Sequence, residues 1–372
     1  MNIVLFYHSL LSDWNHGNAH FLRGISTELI RRGNKVTIYE PENAWSLQNL
    51  LADYGQDAVN EFHTYYPLLS STQYNPATID LDKVLEGADL VLVHEWNEHA
   101  LVKAIGEKKQ RYGFKLLFHD THHRAVTERE SMSAYDISRY DGVLAFGGMI
   151  RDIYLKEKWA KKAWTWHEAA DTNIFHPIEN AAPEGDLVWI GNWGDEERTK
   201  ELFEFIIEPV KELNIKAKIY GVRYPDYAKQ ALADAGIDYA GWLPNFKAPE
   251  VFARYRFTAH VPRGPYVRSL PGIPTIRPFE AMACGIPLLS APWNDSEGLF
   301  TPGKDFLFVK NKEEMKRRID QVLTGDAEIT AMKQHALETI LAKHTCAHRT
   351  DELYDICEEI GVNNFSKNTI AI

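Results

Sequence analysis

The sequence predicts an α/β fold with parallel sheets, divided into two domains. Residues 2–7 form an apolar segment typical of a strand, residues 21–30 have the spacing of an amphipathic helix, and residues 35–39 again resemble a strand. A strand, a loop, a helix and a second strand in this order make a βαβ unit, whose two strands pair in parallel. Alternation of this kind resumes at residue 186, and 372 residues are enough for two domains that each bury a core.

Composition and charge restrict the possible partners and compartments. The formal net charge of −11 argues against nucleic acid as the main partner, because a polyanion is repelled by such a surface. The three cysteines, Cys284, Cys346 and Cys357, are odd in number and form no CxxC pair, which favours a reducing, cytoplasmic compartment. Residues 2–11 are too short to span a bilayer and lack the features of a signal peptide, so we expect at most peripheral membrane contact.

Residues 271–290 contain the most informative pattern: a loop, a short helix and a buried strand. Pro278 suits the first helical position, Glu280 then lies in the first turn, and Gly285 suits the left-handed residue that ends a helix. We expect this helix start to present free backbone N–H groups, Arg277 and a carboxylate, an arrangement that binds phosphate. The alternative is that Glu280 only caps the helix.

This segment contains the sequence Arg-Pro-Phe-Glu-Ala-Met-Ala-Cys-Gly-Ile-Pro-Leu. The sequence resembles the donor-binding signature of GT-B glycosyltransferases, in particular the GT4-like and CgeB-like branches. The resemblance implies two Rossmann-like, doubly wound parallel-sheet domains that face each other across a cleft. It also implies that Glu280 binds the ribose hydroxyls of a nucleotide sugar, and that the helix start with Thr275 and Ile276 faces its pyrophosphate. The first acidic residue of the usual Glu-x7-Glu pair would fall at Gly272, and it is absent.

With this resemblance the chain divides into four parts. We predict an N-terminal, acceptor-side Rossmann-like domain over residues 1–165 and a connection over residues 166–185. A nucleotide-sugar-binding domain follows over residues 186–345. Residues 346–372 are expected to form a helix that crosses back to the first domain, followed by a tail.

Two places in the first half are candidates for chemistry. The loop after the first strand lacks the GxGxxG pattern of nicotinamide enzymes, and by resemblance its Gly17 approaches the donor or the acceptor. His119 and Asp120 begin a polar run after a predicted strand over residues 115–118. A metal site and a polar, solvated loop are both possible interpretations. The resemblance favours a third, in which His119 and Asp120 act near the donor phosphate and the reacting sugar.

The second half offers the remaining donor-binding candidates. By resemblance, the glycine turn and helix start after the strand at residues 187–190 touch the diphosphate, and the Gly-Trp-Leu-Pro turn seats the base. A guanidinium at the end of the strand over residues 257–261 suits bidentate pairing with phosphate. The residues assigned to the donor in this way are Gly191, Asn192, Arg198 (with Lys200 as the reserve), Trp242, Leu243 and Arg263.

These assignments predict a hexosyltransferase-type glycosyltransferase that uses a nucleotide-diphosphate sugar and a hydroxyl-bearing acceptor. Arg198, Arg263 and Arg277 would stabilise the leaving diphosphate, so we expect no metal and no cofactor. The catalytic set is His119, Asp120 and Arg277. Two alternatives remain, a nucleotide-sugar 2-epimerase of the same fold and a non-catalytic protein that binds a nucleotide sugar.

Overall fold

The computed structural model describes residues 1–362 and residue 365. Over this part the chain forms two compact units. The first consists of Met1–Glu168 with the segment that begins at Cys346, and the second of Ala169–Thr345. The tail predicted to follow the last helix lies almost entirely outside the described residues.

The first unit contains a sheet of seven parallel strands in the order β3-β2-β1-β4-β5-β6-β7. The order reverses between β1 and β4, so their carboxyl ends form the point at which doubly wound sheets bind ligands. The central strands are buried along their length, as expected where helices cover both faces. The strands are β1 (Asn2–Phe6), β2 (Lys35–Pro41), β3 (Ser71–Tyr74), β4 (Leu90–His94), β5 (Lys115–Asp120), β6 (Gly142–Ala145) and β7 (Ala163–Thr165).

The helices of the first unit connect successive strands of this sheet. Residues 41–85, which the sequence pattern left unassigned, form a long helix and an edge strand, and the helix is kinked at Gly55, where φ is +72°. The helices are α1 (Ala19–Arg31), α2 (Trp45–Tyr65), α3 (Leu81–Leu85), α4 (His99–Tyr112), α5 (Arg124–Thr127), α6 (Arg129–Ser133) and α7 (Gly148–Lys156).

The second unit contains a sheet of six parallel strands in the order β10-β9-β8-β11-β12-β13, which reverses between β8 and β11. Its strands are β8 (Gly185–Ile190), β9 (Ala217–Tyr220), β10 (Asp238–Tyr239), β11 (Tyr255–His260), β12 (Leu288–Ser290) and β13 (Leu307–Phe308). Its helices are α8 (Thr199–Leu202), which continues through a π-helical turn (Phe203–Ile207) into α9 (Glu208–Leu213), then α10 (Asp226–Asp234), α11 (Ala248–Phe252), α12 (Gly264–Arg268), α13 (Ile276–Ala283), α14 (Lys312–Thr324) and α15 (Ala327–Lys343).

The last helix, α16 (Cys346–Glu359), belongs to the first unit and packs on α1. Polar contacts fix it there. The Arg32 guanidinium bonds the Asp351 carboxylate at 2.5 Å, and Asn34 Nδ2 donates to the Tyr354 hydroxyl at 2.6 Å. Trp166 Nε1 donates to the Arg349 carbonyl oxygen at 2.8 Å, which ties the helix to the segment after β7.

Two of the boundaries that differ from those predicted by the sequence affect candidate site residues. Strand β5 extends to Asp120 rather than ending at residue 118, because the two polar residues remain paired with β6. Helix α13 begins at Ile276, so Pro278 is its third residue and not its first. Proline is compatible with this position, because the N–H groups of the first turn have no partner within the helix. The helix ends as expected, with Gly285 at φ +66°.

Candidate active site

Arg198 spans the reversal point of the second sheet. Its Nη2 donates to the Asn192 carbonyl oxygen at 2.5 Å, and its Nη1 donates to the Val261 carbonyl oxygen at 2.6 Å. The guanidinium also lies over the Trp189 ring, 4.9 Å from the ring centroid. Because Asn192 follows β8 and Val261 follows β11, Arg198 joins the carboxyl ends of the two strands where a ligand is expected.

Two further arginines affect the pKa of Arg198. Burial lowers the pKa of Arg198 to about 10, and although Tyr224 opposes this shift, the positive charges of Arg263 and Arg277 add to it. The Arg198 guanidinium remains charged at neutral pH. The positive field of the three arginines makes this region favourable for an anion.

Arg263 pairs with carboxylates in the present structure. Its Nε donates to Glu197 Oε2 at 2.5 Å, and its Nη2 lies 3.7 Å from Asp195 Oδ2. The side chain is about a quarter exposed. A phosphate group at this point would therefore compete with Glu197 for a cation that is already partly accessible.

The start of α13 has unusual backbone geometry. Thr275 precedes the helix with φ 61° and ψ −176°, a conformation that favours glycine and costs another residue about 1–3 kcal/mol. Its side chain makes no capping hydrogen bond. The N–H groups of Ile276 and Arg277 therefore keep the orientation that a helix start offers to an anion, without a side-chain cap from Thr275.

Glu280 lies one turn into α13, is fully buried, and contacts two side chains. Asn245 Nδ2 donates to Glu280 Oε1 at 2.6 Å, while Arg277 Nη1 donates to Oε2. Asn245 comes two residues after Leu243, so this contact joins the helix to the turn predicted to seat the base. Asn245 and Arg277 thus orient the Glu280 carboxylate, each through one of its two oxygens.

Backbone contacts of Gly221 connect the turn predicted to seat the base with the glycine turn at Gly191. Gly221 donates to the Gly241 carbonyl oxygen at 2.7 Å, and a Cβ on Gly221 would lie 2.1 Å from the Gly191 carbonyl oxygen. Gly191 is therefore packed against other backbone groups. Trp242 and Leu243 follow directly and are half-buried.

Sequence reasoning missed His260 and Asn245. His260 ends β11, is buried, and its Nδ1 lies 2.9 Å from the Ser290 hydroxyl. Burial lowers its pKa to about 3 and the charge of Arg198 contributes, so the imidazole is neutral at pH 7. A usable signal existed for both residues, since His260 lies at the carboxyl end of a predicted strand and Asn245 follows Gly-Trp-Leu-Pro directly.

In the first unit, the loops after β1 and β5 meet at the carboxyl edge of the sheet. Gly17 lies exposed in the first loop, and its neighbour Asn18 donates through Nδ2 to the Thr121 carbonyl oxygen at 3.0 Å. The Thr121 hydroxyl in turn lies 2.9 Å from His94 Nε2. The loop with Gly17 is thereby fixed beside the residues that follow Asp120.

His119 is the penultimate residue of β5 and not a loop residue, and it is fully buried. It packs among the rings of Phe21, His94 and Trp166, at centroid distances of 6.1, 5.3 and 4.9 Å. Neither ring nitrogen has a hydrogen-bond partner in residues 1–362 or 365. Burial lowers its pKa to about 3, so this imidazole is neutral and lies in the core.

Asp120 is also buried and part of β5. Burial raises its pKa to about 6, against the opposing hydrogen bonds from the His122 N–H and the Tyr154 hydroxyl, at 3.1 and 2.9 Å. The rings that reach the surface at this edge include the half-buried His122 and Trp96, which is 40% exposed, and these two lie 5.2 Å apart.

Further histidines gather at the reversal point between β1 and β4. The His8 ring stacks on His94 at 5.1 Å and contacts the His16 ring at 4.1 Å. Burial lowers the pKa of each of the three, that of His8 to about 3. Within the described residues, no group of three or more histidine, cysteine, aspartate or glutamate side chains is arranged to hold a metal ion.

Comparison with known families and structures agrees with this architecture. Residues 198–355 match the family model described as glycosyl transferase-like. Over nearly its whole length, the chain resembles solved structures of glycosyltransferases. The fold is the GT-B fold. No curated protein sequence matches the chain significantly.

Three of these structures illustrate the likeness. Sucrose-phosphate synthase from Thermosynechococcus elongatus is 12% identical with a TM-score of 0.66, covering 97% of this chain and 99% of its own. Anabaena HepE in complex with UDP-glucose is 14% identical with a TM-score of 0.67, covering 96% and 100%. A glycosyltransferase from Rickettsia africae is 11% identical with a TM-score of 0.68, covering 98% and 99%. None of the helices in the described residues has the length and apolarity needed to traverse a bilayer.

Proposed function

We propose that this protein is a metal-independent glycosyltransferase that transfers a hexosyl group from a nucleotide-diphosphate sugar to a hydroxyl-bearing acceptor, in the manner of the GT4-like and CgeB-like branches. One observation carries the proposal. The start of α13 lies at the reversal point of a parallel sheet and carries Arg277. The charges of Arg277 and Arg263 both act on Arg198, so three cations lie near this helix start. This is a site for a diphosphate. The glycosyl transferase-like match begins at Arg198 and includes all of these residues.

The residues of the second unit suggest an order for the parts of the donor. The base lies against the turn at Trp242 and Leu243, and the ribose lies at Glu280, which Asn245 ties to that turn. The diphosphate then follows at the N–H groups of Ile276 and Arg277. HepE, whose structure has been solved with UDP-glucose, shows that this fold accommodates such a donor.

The arginines favour cleavage of the bond between the sugar and the diphosphate. As this bond breaks, negative charge grows on the leaving diphosphate, and a fixed cation stabilises the transition state more than the ground state. Arg277 is the catalytic group in this proposal because it lies on the helix start itself. The carbonyl oxygens of Asn192 and Val261 already hold the Arg198 guanidinium in place. Its positive charge is therefore available without reorientation of the side chain.

The acceptor side is assigned to the carboxyl edge of the first sheet. Gly17, His122 and the exposed Trp96 offer backbone, imidazole and an aromatic face there, and aromatic faces pack well on sugars. His119 and Asp120 remain candidates for orienting this edge, since both are buried beneath it. The free cysteines favour a cytoplasmic location for the reaction.

Product analysis tests the proposal. The protein is incubated in EDTA with UDP-, GDP-, ADP- and dTDP-sugars, with and without a mixture of glycan and small-molecule acceptors, and the products are identified by NMR and mass spectrometry. The proposal predicts nucleoside diphosphate together with a glycosylated acceptor. Epimerised or eliminated sugar without acceptor would identify an epimerase instead, and a donor that binds but is never turned over would indicate a non-catalytic binding protein.

A further inference from the structure

The carboxylate of Glu297 lies beside Gly272, the position at which the sequence lacks the first acidic residue of the Glu-x7-Glu pair. The φ of Gly272 is +89°, and a Cβ built on it would lie 2.6 Å from Glu297 Cγ and 2.7 Å from Glu297 Oε1. The space that a side chain at position 272 would enter is thus filled by the side chain of Glu297. A carboxylate is therefore present at this place, although it comes from a different loop.

The loop that carries Glu297 is fixed in place. It follows β12, and its Asn294 carbonyl oxygen accepts a hydrogen bond from the Gly272 N–H at 2.6 Å. Asp295 Oδ2 accepts from the Phe300 N–H at 2.7 Å, which closes the loop on itself. The Trp293 ring meets the buried His260 ring edge-on at 5.8 Å. These contacts hold the loop beside Gly272, while the Glu297 side chain remains partly exposed.

The position of Glu297 along the donor follows from the order of the donor's parts. A nucleotide sugar is linear, with the ribose on one side of the diphosphate and the transferred sugar on the other. If the ribose lies at Glu280 and the diphosphate at the N–H groups of Ile276 and Arg277, the sugar lies towards the segment that precedes α13. That segment contains Gly272, against which Glu297 packs.

We propose that Glu297 is a sugar-recognition residue, whose carboxylate accepts hydrogen bonds from hydroxyl groups of the transferred sugar. This inference rests on the proposed function of the same site. A carboxylate suits the task because it accepts at two oxygens, and charged acceptors form the stronger hydrogen bonds. Glu297 therefore contributes to the affinity for a nucleotide sugar but not to that for the nucleoside diphosphate alone.

The test compares UDP with UDP-glucose, and GDP with GDP-mannose in parallel, by calorimetric titration of the full-length protein. In Glu297→Gln we expect the affinity for the nucleoside diphosphate to stay within about 2-fold and that for the nucleotide sugar to fall about 10-fold, the loss typical of one charge-assisted hydrogen bond. Glu313→Gln, an exposed glutamate on α14, is the matched control and should change neither. Unchanged affinity for the nucleotide sugar, or an equal loss for both ligands, would overturn the inference.

A double variant that moves the carboxylate from position 297 to position 272 provides a second test. In Glu297→Ala the space beside Gly272 is vacated, and Gly272→Asp in that background returns a carboxylate, aspartate being among the residues that tolerate positive φ. We expect the double variant to recover part of the affinity for the nucleotide sugar. No recovery in a double variant that still binds the nucleoside diphosphate would count against the inference alone. A wild-type protein that binds neither ligand of either pair would instead refute the proposed donor site.

Discussion

Arg277 and Glu280 lie three residues apart on α13 and form an ion pair in which Arg277 Nη1 donates to Glu280 Oε2. The cation proposed to bind the diphosphate is therefore held by the carboxylate proposed to bind the ribose. Donor binding requires both to exchange partners, Arg277 for a phosphate oxygen and Glu280 for a hydroxyl. The two contacts are thus coupled, and removal of either should weaken the binding of the whole donor.

The first prediction concerns this pair. We expect Glu280→Gln and Arg277→Lys each to lower the affinity for a nucleoside diphosphate about 10-fold or more, because each loses a charged or bidentate contact. Glu280→Gln keeps the size of the side chain and Arg277→Lys keeps its positive charge, so each variant changes one property of the pair. Titration calorimetry measures the effect, and Arg268→Lys, an exposed arginine on α12, is the control. Wild-type affinity in both variants would show that the donor lies elsewhere.

The second prediction separates a core role for His119 from a chemical one. Its folded pKa of about 3 is below its ordinary value of 6.5, so the unfolded chain binds a proton that the folded chain does not. Stability is therefore lost as the pH falls below 6.5, by about 1.4 kcal/mol per pH unit for one such group. In His119→Leu this contribution disappears, and the free energy of unfolding from denaturant titration should depend less steeply on pH between 6 and 4.

Activity of the same variant decides between the two roles. If His119 is part of the core, donor turnover by His119→Leu at pH 7.5 stays near that of the wild type. If turnover is abolished while the folded state is as stable as the wild type at that pH, His119 acts in the reaction.

The third prediction concerns Asp120 and Tyr154, whose hydroxyl donates to Asp120 Oδ2 at 2.9 Å. The pKa of Asp120 is raised to about 6, so its carboxylate is charged in the folded state only above that pH. Tyr154→Phe removes a donor to the charged form and should cost about 1–3 kcal/mol of stability at pH 8. The cost should be smaller at pH 5, where Asp120 is protonated. A cost independent of pH would show that the hydrogen bond does not depend on the charge of Asp120.

The fourth prediction tests the close backbone contact between Gly191 and Gly221. Gly221→Ala places a Cβ 2.1 Å from the Gly191 carbonyl oxygen, and the backbone must move to relieve this clash. We expect a loss of more than about 3 kcal/mol, measured by chemical denaturation. Gly236→Ala is the control, since φ is +71° there but a Cβ meets no atom within 4 Å, and it should cost about 1 kcal/mol. Similar losses in the two variants would contradict the packing described here.

The fold was more predictable from the sequence than the site. Periodicity identified the βαβ unit, and the segment around Arg277 and Glu280 indicated the GT-B fold, which the structure confirms. Local patterns also located the end of α13 at Gly285. These features depend on residues near one another in the chain, whose chemistry fixes their conformation.

Features that depend on distant contacts could not be predicted in the same way. His119 and Asp120 look like loop residues in the sequence, yet pairing with β6 keeps them in β5 and buries them. Neither the hydrogen bond from Asn245 to Glu280 nor the packing of Glu297 against Gly272 has a local signal, since 35 and 25 positions separate the partners. The absence of an acid at position 272 was visible, but the residue beside it was not.

The measurement that tests the central claim most directly is a thermal-shift screen of the wild-type protein against UDP-, GDP-, ADP-, CMP- and dTDP-sugars in EDTA. A ligand that binds only the folded state stabilises it by about 2.7 kcal/mol at a concentration of 100 Kd. We predict that one base class raises Tm clearly without metal and that Glu280→Gln loses the effect. A shift that survives unchanged in Glu280→Gln, or no shift with any donor, would contradict a nucleotide-sugar site at α13.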